Sequence, residues 1–212
     1  KPDVDPMSVN FVDLRKWGLP YEPVVSESIA AGADLVTFSG DKVLGGPQCG
    51  LIVGRRELLN KVKKNPLMRA LRCDKFTLAL LENTLRLFLN PARLAEQHEV
   101  FRMLTEPVRV VQQRAEKLQA LLHSTCGDRL ESQVIPSESE AGSGALPLEK
   151  IPSYAVTIKS AFLSANALAQ TLRHVRVPVL GYLRENRLWL DARTILDKEI
   201  ALVCDGIESV LP

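Results

Sequence analysis

The stretch TFSGDKVLGGPQ, residues 37–48, decides the fold class and the chemistry that this sequence predicts. The apolar run of residues 34–38 leads into it and is typical of a buried β-strand. A Gly-Gly-Pro turn follows, so we expect Lys42 to lie at the end of a strand. A lysine amine held there can form an imine with an aldehyde cofactor, although most lysines at such positions are solvated charges.

Segments on both sides extend the pattern over nearly the whole chain. They are FVDL (11–14), WGLP (17–20), CGLIVG (49–54), PLMRALR (66–72), TLRL (84–87), VPVLG (177–181) and RLWLDAR (187–193). Together with residues 39–48, they resemble bacterial selenocysteine synthase, the L-seryl-tRNA(Sec) selenium transferase family. The resemblance implies an α/β fold, namely the C-terminal part of the large domain of a fold-type I transferase that depends on pyridoxal 5'-phosphate, followed by a small α+β domain.

The resemblance also implies an activity. Seryl-tRNA(Sec) would lose water by β-elimination to an aminoacrylate, which would take selenium from selenophosphate and become selenocysteinyl-tRNA(Sec). Two other functions stay open. One is a pyridoxal-phosphate-dependent ammonia lyase that acts on a phosphorylated amino sugar or amino acid. The other is a non-catalytic remnant or oligomerisation scaffold.

By the same resemblance, the catalytic residues are Lys42, which would hold the cofactor and then act as general base, and its neighbour Asp41. Asp41 would orient groups or relay protons, or it would only cap the turn. Asp5 matches the aspartate that keeps the cofactor ring nitrogen protonated in such enzymes. The residues after it, PMSVN (6–10), depart from the glycine- and serine-rich turn of the family.

Four more residues of the lysine segment are predicted to bind the cofactor: Ser39, Gly45, Gly46 and Gln48. Glycine lets the backbone pass close to another group, and N–H groups exposed in such a turn can bind phosphate oxygens. A plain tight turn is the alternative for Gly45 and Gly46.

Three arginines are candidates for binding anions. Arg69 and Arg72 are three residues apart, a spacing that places both guanidinium groups on one side of a helical turn. The resemblance assigns them to selenophosphate, whereas surface charges are the alternative. Arg193 lies where fold relatives bind a substrate carboxylate, but a structural ion pair with Asp191 or a solvated position is the alternative.

Composition sets broader limits. The chain has 212 residues, a formal charge of +2 and 46% hydrophobic residues, enough for one large or two small domains. The four cysteines are widely spaced, which argues against a zinc site or a disulfide framework. We expect no metal, no membrane contact, and a cytoplasmic location. The resemblance adds a homo-oligomer of dimers assembled into a ring.

Periodicity predicts the order of elements. Helices are expected at 26–31, 57–64, 74–89, 92–104, 108–123, 165–174 and 197–210, and strands at 34–38, 50–53, 131–135, 154–159, 177–183 and 187–190. The polar segment 136–152 is predicted to be a surface loop. We divide the chain into residues 1–110, the end of the cofactor-binding domain with a helical connector, and the small domain, 111–212. Only 41 residues precede Lys42, so we expect the C-terminal part of a longer protein, a fragment that is inactive alone.

Overall fold

The computed structural model describes residues 10–140 and 150–212 of the chain. They form two compact units, one of residues 10–105 and one of residues 106–139 and 150–212. Both units mix helices and strands, so the mixed α/β class predicted from the sequence is confirmed. Asp5 and residues 141–149 of the predicted surface loop lie outside the described residues.

The first unit contains a pair of strands within a series of helices. Its elements are α1 (Val25–Ala30), β1 (Leu35–Ser39), β2 (Gly50–Gly54), α2 (Arg56–Lys64), α3 (Leu67–Ala70), α4 (Lys75–Leu87), α5 (Leu94–Gln97) and α6 (Glu99–Thr105). The predictions for residues 26–31, 34–38, 50–53, 57–64 and 74–89 are confirmed to within about two residues at each end, the usual uncertainty of helix boundaries.

Local signals in the sequence explain several of these boundaries. The carboxylate of Asp74 accepts hydrogen bonds from the backbone N–H groups of Phe76 at 2.7 Å and Thr77 at 2.9 Å. It therefore caps the first turn of α4, whose N–H groups have no partner inside the helix. Gly32 follows α1 with a φ of 95°, a conformation that glycine adopts without steric cost.

Strands β1 and β2 pair antiparallel, with Leu35 opposite Gly54 and Ser39 opposite Gly50. The loop that carries Lys42 joins them directly. One parallel bridge, between Asn10 and Val24, is also present. Among the described residues this unit therefore lacks the parallel sheet on which α/β domains are built.

The predicted helix 92–104 is wrong in one respect, because the chain breaks at His98. A 3-10 turn (Pro91–Arg93) leads into α5, and α6 starts directly after His98. His98 has φ −117° and ψ 109°, which are extended values. Its ring Nδ1 accepts the backbone N–H of Phe101 at 3.2 Å, so the imidazole caps α6.

The second unit is a four-stranded sheet with three α-helices. Its elements are α7 (Val108–Cys126), β3 (Leu130–Glu140), β4 (Lys150–Ser160), α8 (Ala165–Leu172), β5 (Tyr182–Arg184), β6 (Arg187–Asp191) and α9 (Ile200–Glu208). The strand order is β3-β4-β6-β5, with β4 and β5 both antiparallel to β6. The three helices and the sheet share one core, in which Leu118, Ile158 and Leu168 are fully buried.

The predicted surface loop 136–152 is wrong at both ends. Strand β3 continues through Glu140, and β4 starts at Lys150. Pro136 favoured a loop, but β3 is at the edge of the sheet, where a residue without an N–H group is tolerated. The predicted strand 177–183 is also shorter, because β5 includes only its last two residues and Arg184.

Candidate functional site

The lysine segment is a folded loop of residues 40–49 between the paired ends of β1 and β2. The N–H of Gly40 donates to the carbonyl of Cys49 at 2.8 Å, which closes the base of the loop. Val43 and Leu44 are buried, whereas Lys42 between the exposed Asp41 and this pair is half-buried. The backbone around Lys42 is therefore fixed, and its side chain reaches the surface of this unit.

Two glycines shape the far side of the loop. The N–H of Gly45 donates to the carbonyl of Lys42 at 2.8 Å, and the N–H of Gly46 donates to the carbonyl of Gly40 at 2.7 Å. Both groups are thus used inside the loop in this conformation. That they bind cofactor phosphate stays a prediction, and the hydrogen bonds seen here give them a role in shaping the loop.

Gly45 also lies where no side chain fits. Its φ is 64°, and a Cβ built on it would collide with the ring of His98 and lie 3.1 Å from Val100. The glycine is required both by the left-handed conformation and by this close approach.

His98 attaches the loop to the rest of the unit. It is 5% exposed, and its Nε2 lies 2.9 Å from the carbonyl oxygen of Leu44. Because a carbonyl can only accept and the Phe101 N–H can only donate, the ring carries its hydrogen on Nε2. Sequence reasoning missed this residue, since the hydrogen bond joins positions 54 residues apart.

An aromatic cluster holds the imidazole in place. The ring of His98 meets those of Phe88 and Phe101 edge-on, with centroids 5.6 Å and 6.2 Å away. Phe101 is fully buried and packs edge-on against Trp17 at 4.9 Å. Edge-to-face packing at these distances is favourable, so His98 is part of the core of the unit.

The predicted anion-binding arginines lie on the surface of the same unit. Arg69 is in the short helix α3, and Arg72 follows its end by two residues. Both side chains are exposed, and within the described residues neither guanidinium makes a hydrogen bond or an ion pair. Because Arg72 lies beyond the end of α3, the helical turn that was expected to place both guanidiniums on one side includes only Arg69, and anion binding by the pair stays a prediction. Ser39 is half-buried at the end of β1, and Gln48 is exposed on the loop.

Arg193 has a different environment in the second unit. It is 4% exposed, and its guanidinium donates to the carbonyl of Glu106 at 2.9 Å and to that of Pro152 at 2.5 Å. Its backbone N–H donates to Asp191, and burial lowers the pKa of the guanidinium. These contacts favour a structural role for Arg193 through two backbone carbonyls, and its burial contradicts the solvated position.

Comparison with known proteins identifies the family. The profile of the SelA family, L-seryl-tRNA selenium transferase, matches residues 4–196. The chain belongs to the L-seryl-tRNA selenium transferase family. It is 46% identical over 197 residues to proteins named L-seryl-tRNA(Sec) selenium transferase from Escherichia coli O139:H28 (strain E24377A / ETEC) and Shigella boydii serotype 18 (strain CDC 3083-94 / BS512).

These alignments cover 91% of this chain but 42% of each selenium transferase relative. The chain therefore spans less than half the length of these curated relatives. The resemblance drawn from the lysine segment and its flanking segments is confirmed at the level of the family. The roles of individual residues stay predictions.

Two solved structures are similar at a lower level. They are an alanine–glyoxylate aminotransferase from Nostoc sp. (TM-score 0.36, 16% identity, covering 86% of this chain and 49% of that one) and a ureidoglycine–glyoxylate aminotransferase from Bacillus subtilis (TM-score 0.34, 12% identity, covering 86% and 48%). TM-scores of this size do not establish that this chain shares the fold of these aminotransferases.

None of the chain's helices in residues 10–140 and 150–212 combines the length and apolar character needed to span a bilayer. In the same residues, no three His, Cys, Asp or Glu side chains are grouped so that they could bind a metal ion.

Proposed function

We propose that this chain is the part of a selenium transferase that supplies the cofactor lysine and the selenophosphate-binding arginines. The complete reaction would convert seryl-tRNA(Sec) to selenocysteinyl-tRNA(Sec) with selenophosphate, in the cytoplasm, where charged tRNA is used. The observation that carries the proposal is the folded loop of residues 40–49, which holds Lys42 half-buried between two paired strands in a member of this family.

The loop carries the kinds of functional group that could bind pyridoxal 5'-phosphate. Lys42 supplies a primary amine for the aldehyde, and the neighbouring Ser39 and Gln48 supply a hydroxyl and an amide for hydrogen bonds. When bound, the cofactor would act as an electron sink for the α-carbon of the seryl group. Asp5 would hold the ring nitrogen, as the family resemblance implies.

The side chains of this chain would then do two things. The Nζ of Lys42 would remove the proton from the α-carbon of the seryl group, with the exposed Asp41 next to it orienting water or substrate. The two exposed guanidiniums of Arg69 and Arg72 would bind the oxygens of selenophosphate, for which the planar fork of arginine is suited.

We further propose that the first unit, which ends at residue 105, belongs to the cofactor-binding large domain and the second to the small C-terminal domain, although the division was expected between residues 110 and 111. The surface around α3 and α4 would bind a second copy of the chain. Neither helix has a buried residue, and Leu71 and Phe76 are 72% and 82% exposed. Large apolar side chains exposed to this degree often mark interfaces, and homo-oligomers are the commonest assemblies.

The first test measures where the cofactor reacts on the 212-residue chain. Pyridoxal 5'-phosphate is added, the lysine adducts are fixed by borohydride, and each lysine is quantified by mass spectrometry. We expect Lys42 to be labelled well before the exposed Lys61, Lys63 and Lys64 of α2, which serve as internal controls. Equal labelling of all four would contradict the assignment and would favour a non-catalytic scaffold.

The second test measures the reaction. The matching stretch of the Escherichia coli relative is replaced by this chain, which restores the length of a complete family member. We expect selenocysteinyl-tRNA(Sec) to form from seryl-tRNA(Sec) and selenophosphate, and Lys42→Ala to abolish it. Turnover of phosphorylated amino sugars instead would favour the ammonia lyase alternative.

A further inference from the structure

His98 holds the lysine loop through a single hydrogen bond that can be removed separately from its other contact. Its Nε2 donates to the carbonyl of Leu44, two residues after Lys42, and its Nδ1 caps helix α6 through the N–H of Phe101. The two ring nitrogens therefore join the loop to the start of a helix that is distant in sequence.

The hydrogen bond from His98 to Leu44 lies close enough to Lys42 along the chain to affect how the lysine is oriented. The loop is anchored at its base by the Gly40–Cys49 hydrogen bond and in its interior by the turn in which Gly45 donates to the carbonyl of Lys42. The bond from His98 adds a polar anchor at the Leu44 carbonyl to the packing of the buried Leu44 residue, and it lies next to that turn. Losing it leaves a buried carbonyl unsatisfied and releases the segment that orients Lys42.

We propose that His98 is a positioning residue, which acts on Lys42 through Leu44 and fixes the direction in which the amine meets the cofactor aldehyde. The proposal rests on the proposed function of Lys42. His98 itself touches neither the lysine amine nor the substrate. Its effect is to reduce the number of loop conformations, so that more of the population has the amine placed for reaction.

Two substitutions separate the two contacts of the ring. In His98→Asn, the side-chain oxygen is placed like Nδ1 and can still cap α6, but no atom reaches Leu44. In His98→Gln, the longer side chain places an amide N–H near the position of Nε2 and can restore the hydrogen bond to the Leu44 carbonyl. If His98 only stabilises the fold, the two substitutions should have similar effects, or His98→Gln, which loses the α6 cap, should have the larger effect.

The experiment compares both variants with the unaltered 212-residue chain by two readouts. Hydrogen exchange measures the opening of the amides of Gly45 and Gly46, and borohydride fixation measures the labelling of Lys42 relative to the α2 lysines. For His98→Asn, we expect exchange about 10-fold faster and a similar loss of preference for Lys42, since a buried hydrogen bond is lost. For His98→Gln, we expect the exchange rate and the labelling preference for Lys42 to return most of the way to the values of the unaltered chain.

The outcomes are distinguishable. If the unaltered chain shows no preference for Lys42, the proposed function fails, while the exchange result still reports on the anchor. If the preference exists and His98→Asn keeps it, the positioning role is wrong. If His98→Gln loses as much preference as His98→Asn at equal helix content, the hydrogen bond to Leu44 is not the cause and the proposal is overturned.

Discussion

Replacing Gly45 by alanine tests the geometry of the lysine loop most directly. The residue has a φ of 64°, and the added methyl group would collide with the ring of His98. An L-residue in this left-handed region costs about 1–2 kcal/mol. The ring is held by two hydrogen bonds and by aromatic neighbours, so the methyl group must displace the loop and break the bond to Leu44, which adds about 1–3 kcal/mol.

The matched control is Gly18→Ala in the same unit. Gly18 has a φ of 75°, but nothing lies within 4 Å of a Cβ built there. The Gly18→Ala substitution therefore costs only the strain of the left-handed backbone, about 1–2 kcal/mol. The difference between the two variants isolates the collision with His98, and we expect Gly45→Ala to be the more destabilising by roughly 1–3 kcal/mol.

Urea unfolding followed by tryptophan fluorescence measures this difference. The chain has two tryptophans, and Trp17 packs against Phe101 in the first unit. In a Trp189→Phe background, the signal reports that unit alone. Adding His98→Ala removes the ring, and the excess cost of Gly45→Ala over Gly18→Ala should then shrink to the small part that comes from Val100, 3.1 Å from the built Cβ. Equal costs in the starting background, or an excess that stays undiminished without the ring, would refute the argued contact.

Three other predictions follow from side chains outside the loop. Arg193→Ala should destabilise the second unit by about 2–4 kcal/mol in urea unfolding, because two backbone carbonyls lose a charged donor. The same substitution should leave the labelling of Lys42 unchanged. A loss of labelling without a loss of stability would favour a substrate-binding role for Arg193. Phe76→Asp should lower the molar mass measured by light scattering, while the matched Leu202→Asp on α9 should not, and equal masses would place the interface elsewhere. Burial raises the pKa of the Cys126 and Cys204 thiols above 9.0, so their contribution to stability is present below pH 9.0 and is lost as the pH rises through the folded pKa. A thiol reagent at pH 8 should therefore modify Cys73 first, and Cys126 and Cys204 only on unfolding. Rapid reaction of all cysteines would contradict the burial of these two thiols.

The elements that the sequence predicts well are those whose signals are local. The apolar run before Lys42 and the glycines after it predicted a strand followed by a turn, and the observed β1 and loop agree. The helix predicted at residues 74–89 is present as α4, and Asp74 caps it through two adjacent N–H groups. In each case the residues that determine the structure are within a few positions of one another, so periodicity and capping rules apply to them.

The features that could not be predicted depend on contacts between distant residues. The helix 92–104 has an unbroken periodic pattern, and only the contact of His98 with Leu44 shows why it breaks there. Strand β3 continues past Pro136 because it lies at a sheet edge, a position that emerges only when the strand order is known. Similarly, no spacing rule connects Arg193 to the carbonyl of Glu106.

The arrangement of the loop has a consequence for how Lys42 can be both held and reactive. A lysine side chain has a flexible four-carbon stem, and ordering such a side chain costs up to about 2 kcal/mol of entropy. The hydrogen bond from His98 acts on the backbone at Leu44, so it fixes the base of the stem without itself touching Nζ. Substitutions at the junction of α5 and α6 should therefore alter the reactivity of a lysine that they do not touch.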